Sequence, residues 1–278
     1  MSSGRRILTC ALRLGRTFGL ALALVLAAGV ALPRPASAQV QRKNLTVEEQ
    51  YELGLRYMKR GYYVKALEQF NRIRNYHRDD PYAVKAELAI ADVHYKKAEW
   101  DQARVAYEDF MRLHPRHEDI DYVVYRLGLT SFKKAPRIAA RDQIWTRQAV
   151  NTWTGFDTRF ADSEHVEEVQ DLLTRARNRL ARKEFIIGRF YYKRGAWAAV
   201  VGRMEGLLRT YPASPDAAEA LAMLAIARWN LAEPEAARQA VERLKTDHPN
   251  SRALLRVRRR APGLVGSVDA GGATEAAP

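Results

Sequence analysis

From Val47 to about Leu255 the apolar residues recur at intervals of three and four, the spacing that lines one face of an α-helix. No sustained two-residue alternation of the kind a strand would need is present. Turn signals punctuate the run at "KRGYY", "RDDP", "KKAEW", "LHPRH", "FADS", "KRGAW", "TYPASP", "LAEPE" and "DHPN". The segments between them are roughly 12–17 residues long, the length of helices in antiparallel pairs. The pattern predicts an all-α chain.

The segments also repeat. Gly61 to Ala98, His77 to His114, Gly195 to Ala232 and Tyr211 to His248 are each 37 residues apart. A two-helix unit with a period in the thirties points to a tetratricopeptide-type solenoid. In such a unit the first helix carries a large apolar residue, then a small one, then an aromatic three positions on. This reads as Leu53-Gly54 with Tyr57, Ile90-Ala91 with His94, Leu127-Gly128 with Ser131, Ile187-Gly188 with Tyr191, and Leu224-Ala225 with Arg228. The second helix needs a small residue with a bulky one four later. Ala66/Phe70, Ala103/Tyr107, Ala149/Trp153 and Ala237/Val241 comply, with Val200/Met204 a looser fit. Five repeats are expected. The third has about nine extra residues between its helices, in "KKAPRIAARDQ", and Ser163–Arg194 reads as one long helix or two stacked end to end.

The expected organisation is a signal peptide over 1–38, a linker over 39–45, repeats one to three over 46–162, the long helix and repeats four and five over 163–255, and a Gly/Ala/Pro-rich disordered tail over 256–278. The leader runs from Arg5, Arg6, Arg13 and Arg16 through an apolar stretch to "PASA", predicting cleavage after Ala38 and export to the periplasm. The single cysteine, Cys10, lies inside it, so the mature chain would contain no disulfide and no Cys-ligated metal. The formal net charge is +14. Five cations and no acid fall in the leader, which leaves +9 interspersed with acids along helices. That distribution argues against a nucleic-acid partner.

Little in the chain suggests chemistry. The six histidines form no ligand set with carboxylates; His77, His114 and His248 sit at equivalent repeat ends, where a polar aromatic caps a helix. No G-x-S-x-G, glycine-rich phosphate loop or Cys/His pair occurs. Asp79-Asp80 and Glu48-Glu49 suit helix N-termini, and Trp100, Trp153 and Trp197 suit packing. No catalytic residue, cofactor or metal is expected. A non-enzymatic adaptor is, its concave surface taking segments of other proteins.

"HPRHEDIDYVVYRLGL" (114–129) and "RNRLARKEFIIGRFYYKRGAWAAVVGRMEGLLRTYP" (177–212) resemble the BamD/ComL family of outer-membrane-assembly lipoproteins, in register from residue 46 to about 250. The resemblance implies a periplasmic adaptor on the inner face of the outer membrane. Its C-terminal repeats would hold a POTRA domain of the BamA-like barrel insertase. Its N-terminal repeats would receive unfolded outer-membrane proteins, and other assembly lipoproteins are further partners. Arg203 matches the family arginine that pairs with an acidic POTRA residue; Arg194, Ala199 and Gly206 complete the expected docking patch. Lys65 and Tyr82 are the candidate substrate contacts, although "NYHRDDPY" (75–82) replaces a more apolar family turn. The family's lipidated cysteine is also missing, since Gln39 stands at the cleavage site. Three arrangements stay open: a soluble mature protein held to the membrane only by its partner, a different start, or a paralogue with another role. The alternative function is a soluble periplasmic scaffold coordinating other envelope or peptidoglycan machinery.

On a helical wheel centred on Val200, Trp197, Val200, Val201, Met204, Leu207 and Leu208 fall between about −20° and +100°. Arg203 falls near about −60°, and Ala199 and Gly206 near about −100° and −120°. The cation thus flanks the apolar stripe beside a patch with little side-chain bulk. Such a patch serves either a docking partner or close packing with a neighbouring helix.

Overall fold

The computed structural model describes residues 45–264, which form twelve α-helices and, among those residues, no strand. The expected signal peptide, nearly all of the expected linker and residues 265–278 of the expected tail lie outside the described residues. The helices are α1 (Val47–Lys59), α2 (Tyr63–Tyr76), α3 (Pro81–Lys96), α4 (Trp100–Leu113), α5 (Ile120–Lys134), α6 (Ile144–Trp153), α7 (Phe156–Arg159), α8 (Val166–Lys193), α9 (Trp197–Thr210), α10 (Ala217–Asn230), α11 (Pro234–Asp247) and α12 (Ala253–Arg260). Each packs mainly against its neighbours in sequence, apart from the short α7, past which α6 packs on α8, and α12, which packs mainly on α10. The pairs α1/α2, α3/α4, α5/α6, α8/α9 and α10/α11 therefore stack as a five-repeat solenoid.

Local chemistry sets the helix ends. Thr46 and Glu49 form a reciprocal capping box at the start of α1. The Asp80 carboxylate accepts from the Tyr82 N–H, and Pro81 opens α3. Four of the five turns within a helix pair place one residue in the left-handed region: Gly61, Ala98, Gly195 and Ala232. The two alanines hold φ near 59° and 58° against their Cβ, a strain of about 1 kcal/mol each. His77, His114, Tyr211 and His248 close the second helices with one shared geometry, φ between −127° and −139°, each N–H bonding four residues back. Three of them are the histidines the sequence places at repeat ends.

The repeat signature is a physical interlock. A Cβ added at Gly54 would come within 2.5 Å of the Phe70 ring, at Gly128 within 2.3 Å of the Trp153 indole, and at Gly188 within 2.1 Å of Met204 Cε. In these three repeats the small residue of the first helix is thus the socket for the bulky residue of the second. Phe70, Tyr107, Trp153, Met204 and Val241 are all fully buried there.

Repeat three departs from the pattern in the expected place, between α5 and α6. The loop is pinned from within: the buried Gln143 side chain donates to the carbonyls of Pro136 (3.2 Å) and Ile138 (2.9 Å) and accepts from the Thr146 hydroxyl. The long segment is one continuous helix, α8, of 28 residues.

The disordered tail expected from 256 needs correction at its start. Residues 253–260 form α12, and Ala253, Val257, Ala261 and Leu264 are buried in the C-terminal core. Their spacing makes a narrow apolar stripe within an arginine-rich segment, so composition hides it. The stripe covers α10, whose residues Leu221–Ala227 are apolar on every side and need a neighbour beyond α11. α12 acts as the end-cap that a solenoid requires.

Candidate functional site

α9 buries the stripe the helical wheel marks: Val200, Met204, Leu207 and Leu208 are buried against α8 and α10, with Trp197 and Val201 partly so. Met204 seats against Gly188 of α8, which draws the two helices together and sets Arg203 beside α8. There the Arg203 guanidinium donates to Glu184 at 2.9 Å, with 45% of its side chain exposed.

Beyond Arg203 lies an open groove of about 520 Å³, lined by Glu184, Tyr191, Ala199, Gly202, Arg203, Gly206, Thr210 and Tyr211. A Cβ built at Gly202 or Gly206 would meet nothing within 4 Å. The helix–helix packing that explains Gly54, Gly128 and Gly188 therefore does not explain these two. Glycine within a helix costs about 0.5–1 kcal/mol relative to alanine. Among the described residues no packing contact offsets that cost. The groove exposes the α9 backbone on one side and a half-exposed guanidinium on the other. A carboxylate entering it could take the donors that Glu184 leaves unused.

Arg203, Ala199 and Gly206 are thus brought together. Arg194 is not part of this lining. It caps the end of α8, its guanidinium lying 3.5 Å from the centroid of the half-exposed Phe190 ring. Lys65 and Tyr82 are also kept apart, near opposite ends of α1. Lys65 is exposed and lies 5.7 Å and 5.6 Å from the Tyr57 and Tyr62 rings. Tyr82 packs 5.3 Å from the Tyr51 ring, with its hydroxyl pKa raised by a hydrogen bond to Glu48 and by burial.

Sequence reasoning passes over a polar hub between repeats two and three. The Asp92 carboxylate accepts from the Tyr107 and Tyr122 hydroxyls at 2.5 and 2.8 Å, and Arg126 approaches it at 3.7 Å while stacking 3.7 Å from the Tyr95 centroid. Burial raises the Asp92 pKa, and the two tyrosines and Arg126 oppose that rise. Burial and the neighbouring Asp92 likewise push the Tyr107 hydroxyl well up. A lone acid in "IADVHY" gives no periodic signal, so only the tertiary contact reveals it. Among the described residues no group of His, Cys, Asp and Glu could hold a metal ion, and no helix is long and apolar enough to cross a membrane.

Comparison with known proteins gives this surface a context. The chain is similar to the outer membrane protein assembly factor BamD of Xylella fastidiosa (strain Temecula1), 29% identical over 217 residues covering 74% of each protein. It is 27% identical over 246 residues to the protein of the same name from Neisseria gonorrhoeae, covering 84% of this chain and 90% of that one. Among solved structures, the TPR2AB-domain:pHSP90-complex of yeast Sti1 aligns with 81% of this chain and 86% of that chain, at 16% identity and a TM-score of 0.42. The family described as YfiO, outer membrane lipoprotein, matches residues 43–251, and the chain belongs to that family.

Proposed function

We propose that the protein is a non-enzymatic periplasmic adaptor of outer-membrane β-barrel assembly. The groove between α8 and α9 docks onto a POTRA domain of the barrel insertase, and the N-terminal repeats receive unfolded outer-membrane proteins. The first part rests on one observation: Gly202 and Gly206 keep bulk away from the exposed face of α9 beside Arg203, although no described residue fills that space. Relatives named as outer membrane protein assembly factors agree with this reading. Arg194, stacked on Phe190 at the end of α8, would contribute at the rim. Lys65, from the first repeat, and Tyr82, from the second, would contact substrate separately, near opposite ends of α1.

The test is a pull-down of the purified protein with the periplasmic POTRA region of the cognate insertase. Binding should be lost in Arg203→Glu and weakened at least tenfold in Gly206→Leu, with circular dichroism and melting point retained. Binding that survives both substitutions would contradict the docking site. No binding by the wild type would favour the soluble scaffold.

A further inference from the structure

We propose a second binding site on the same helix, in the groove between α5, the 135–143 loop and the N-terminal half of α8, whose ligand is an acidic segment of another polypeptide. It goes beyond the adaptor reading and does not depend on the Arg203 groove.

The groove has a volume of about 620 Å³. Five cations line it, Arg126, Lys133, Arg137, Arg175 and Arg179, against one acid, Glu168, which already accepts from the Tyr125 hydroxyl at 2.9 Å. Arg126 is committed to Asp92 and Tyr95, and Arg175 pairs with Asp171 at 3.0 Å on its own helix. Among the described residues, Lys133, Arg137 and Arg179 have no carboxylate within ion-pairing distance.

Arg179 is the critical residue. Its guanidinium lies over the Phe132 ring, 4.2 Å from the centroid, and its Nη1 is enclosed with no hydrogen-bond partner among the described residues. Burial first, then the charges of Arg175 and Arg137, pull its pKa below the usual guanidinium range. A buried donor without an acceptor is destabilising, and converging like charges add to the penalty. An incoming carboxylate would satisfy Nη1 and relieve the repulsion at once, in the bidentate geometry arginine favours.

The walls point to a peptide. Leu129, Phe132 and Leu172 are buried but reach the groove wall, leaving a small apolar surface between the charges, suited to a segment in which acidic residues are interrupted by an apolar one. Arg126 and Arg179 sit within the recess between helices and Lys133, Arg137 and Arg175 stand exposed at its rim, so the cations converge on a concave site, whereas a bilayer surface would meet cations on one outward face.

The test is fluorescence anisotropy with a labelled Leu-Glu-Glu-Leu-Glu-Glu peptide, its Gln-for-Glu counterpart, and vesicles of phosphatidylglycerol. The acidic peptide should bind, the Gln version at least tenfold more weakly. Arg179→Met should lose at least tenfold in affinity, while Arg243→Gln, outside the groove, should match the wild type. Arg179→Met should also melt no lower than the wild type, because an unpaired buried donor has been removed. Peptide binding indifferent to Arg179 would overturn the proposal. So would a clear fall in melting temperature in Arg179→Met, or Arg179-dependent binding to the vesicles with none to the peptide.

Discussion

Two grooves open on α8, one along its N-terminal half at Arg179 and one along its C-terminal half at Arg203, and they treat their arginines in opposite ways. Arg203 is half exposed and rests on Glu184, so the free protein loses little by keeping it, and the groove's signature is missing bulk at Gly202 and Gly206. Arg179 stacks on Phe132 with an enclosed nitrogen unsatisfied and two arginines pressing on it. The first groove is open in shape and settled in charge. The second is unsettled in charge, and its apolar floor is already built. A search for unpaired charge alone would miss the Arg203 groove, and a search for small residues alone would miss the Arg179 groove.

The largest effect is expected at the interlock beneath the Arg179 groove. Trp153 fills the socket at Gly128 and donates to the Tyr125 carbonyl at 3.2 Å. Trp153→Ala should destabilise the protein by about 3–5 kcal/mol in denaturant unfolding. Acidic-peptide binding should suffer more than POTRA binding at temperatures where the variant stays folded.

The next effect is at the hub that holds Arg126 in the groove wall. Asp92→Ala strands Arg126, Tyr107 and Tyr122 and should cost about 2–3 kcal/mol. Because the folded pKa of Asp92 is raised, its contribution to stability is complete below the ordinary aspartate value of about 4 and is lost as pH rises through the folded value. The stability of the wild type relative to Asp92→Asn should therefore decline as pH increases over that interval. Urea titrations of both proteins between pH 3 and 7 would check the sign.

The smallest effect separates folding from docking at the other groove. Gly206→Ala meets open space in the middle of α9 and should stabilise the protein by about 0.5–1 kcal/mol. The same methyl should weaken POTRA binding. Gly188→Ala, whose Cβ would sit 2.1 Å from Met204 Cε, offers the contrast: it should bring no gain in melting temperature.

How much of this could be read from the chain follows from what periodicity encodes. The helix pairs, the 37-residue repeat and the Gly54, Gly128 and Gly188 sockets are legible because each is a local pattern repeated along the sequence. Arg203 stands out for the same reason, as a cation off the stripe of one helix. α12 is hidden in the sequence because Ala253, Val257, Ala261 and Leu264 are sparse among arginines and acquire meaning only against α10. The Arg179 groove is less legible still. Its cations come from three segments with no shared period, and their convergence is a property of the insertion and the stacked helices together.

The measurement closest to the centre of this account is a paired titration. Wild type, Arg203→Glu and Arg179→Met would each be titrated with the insertase POTRA region and, separately, with the acidic peptide. A double dissociation is expected: Arg203→Glu loses the POTRA region and keeps the peptide, and Arg179→Met does the reverse. Loss of both ligands in either variant, or loss of neither in both, would contradict the claim that α8 carries two independent sites.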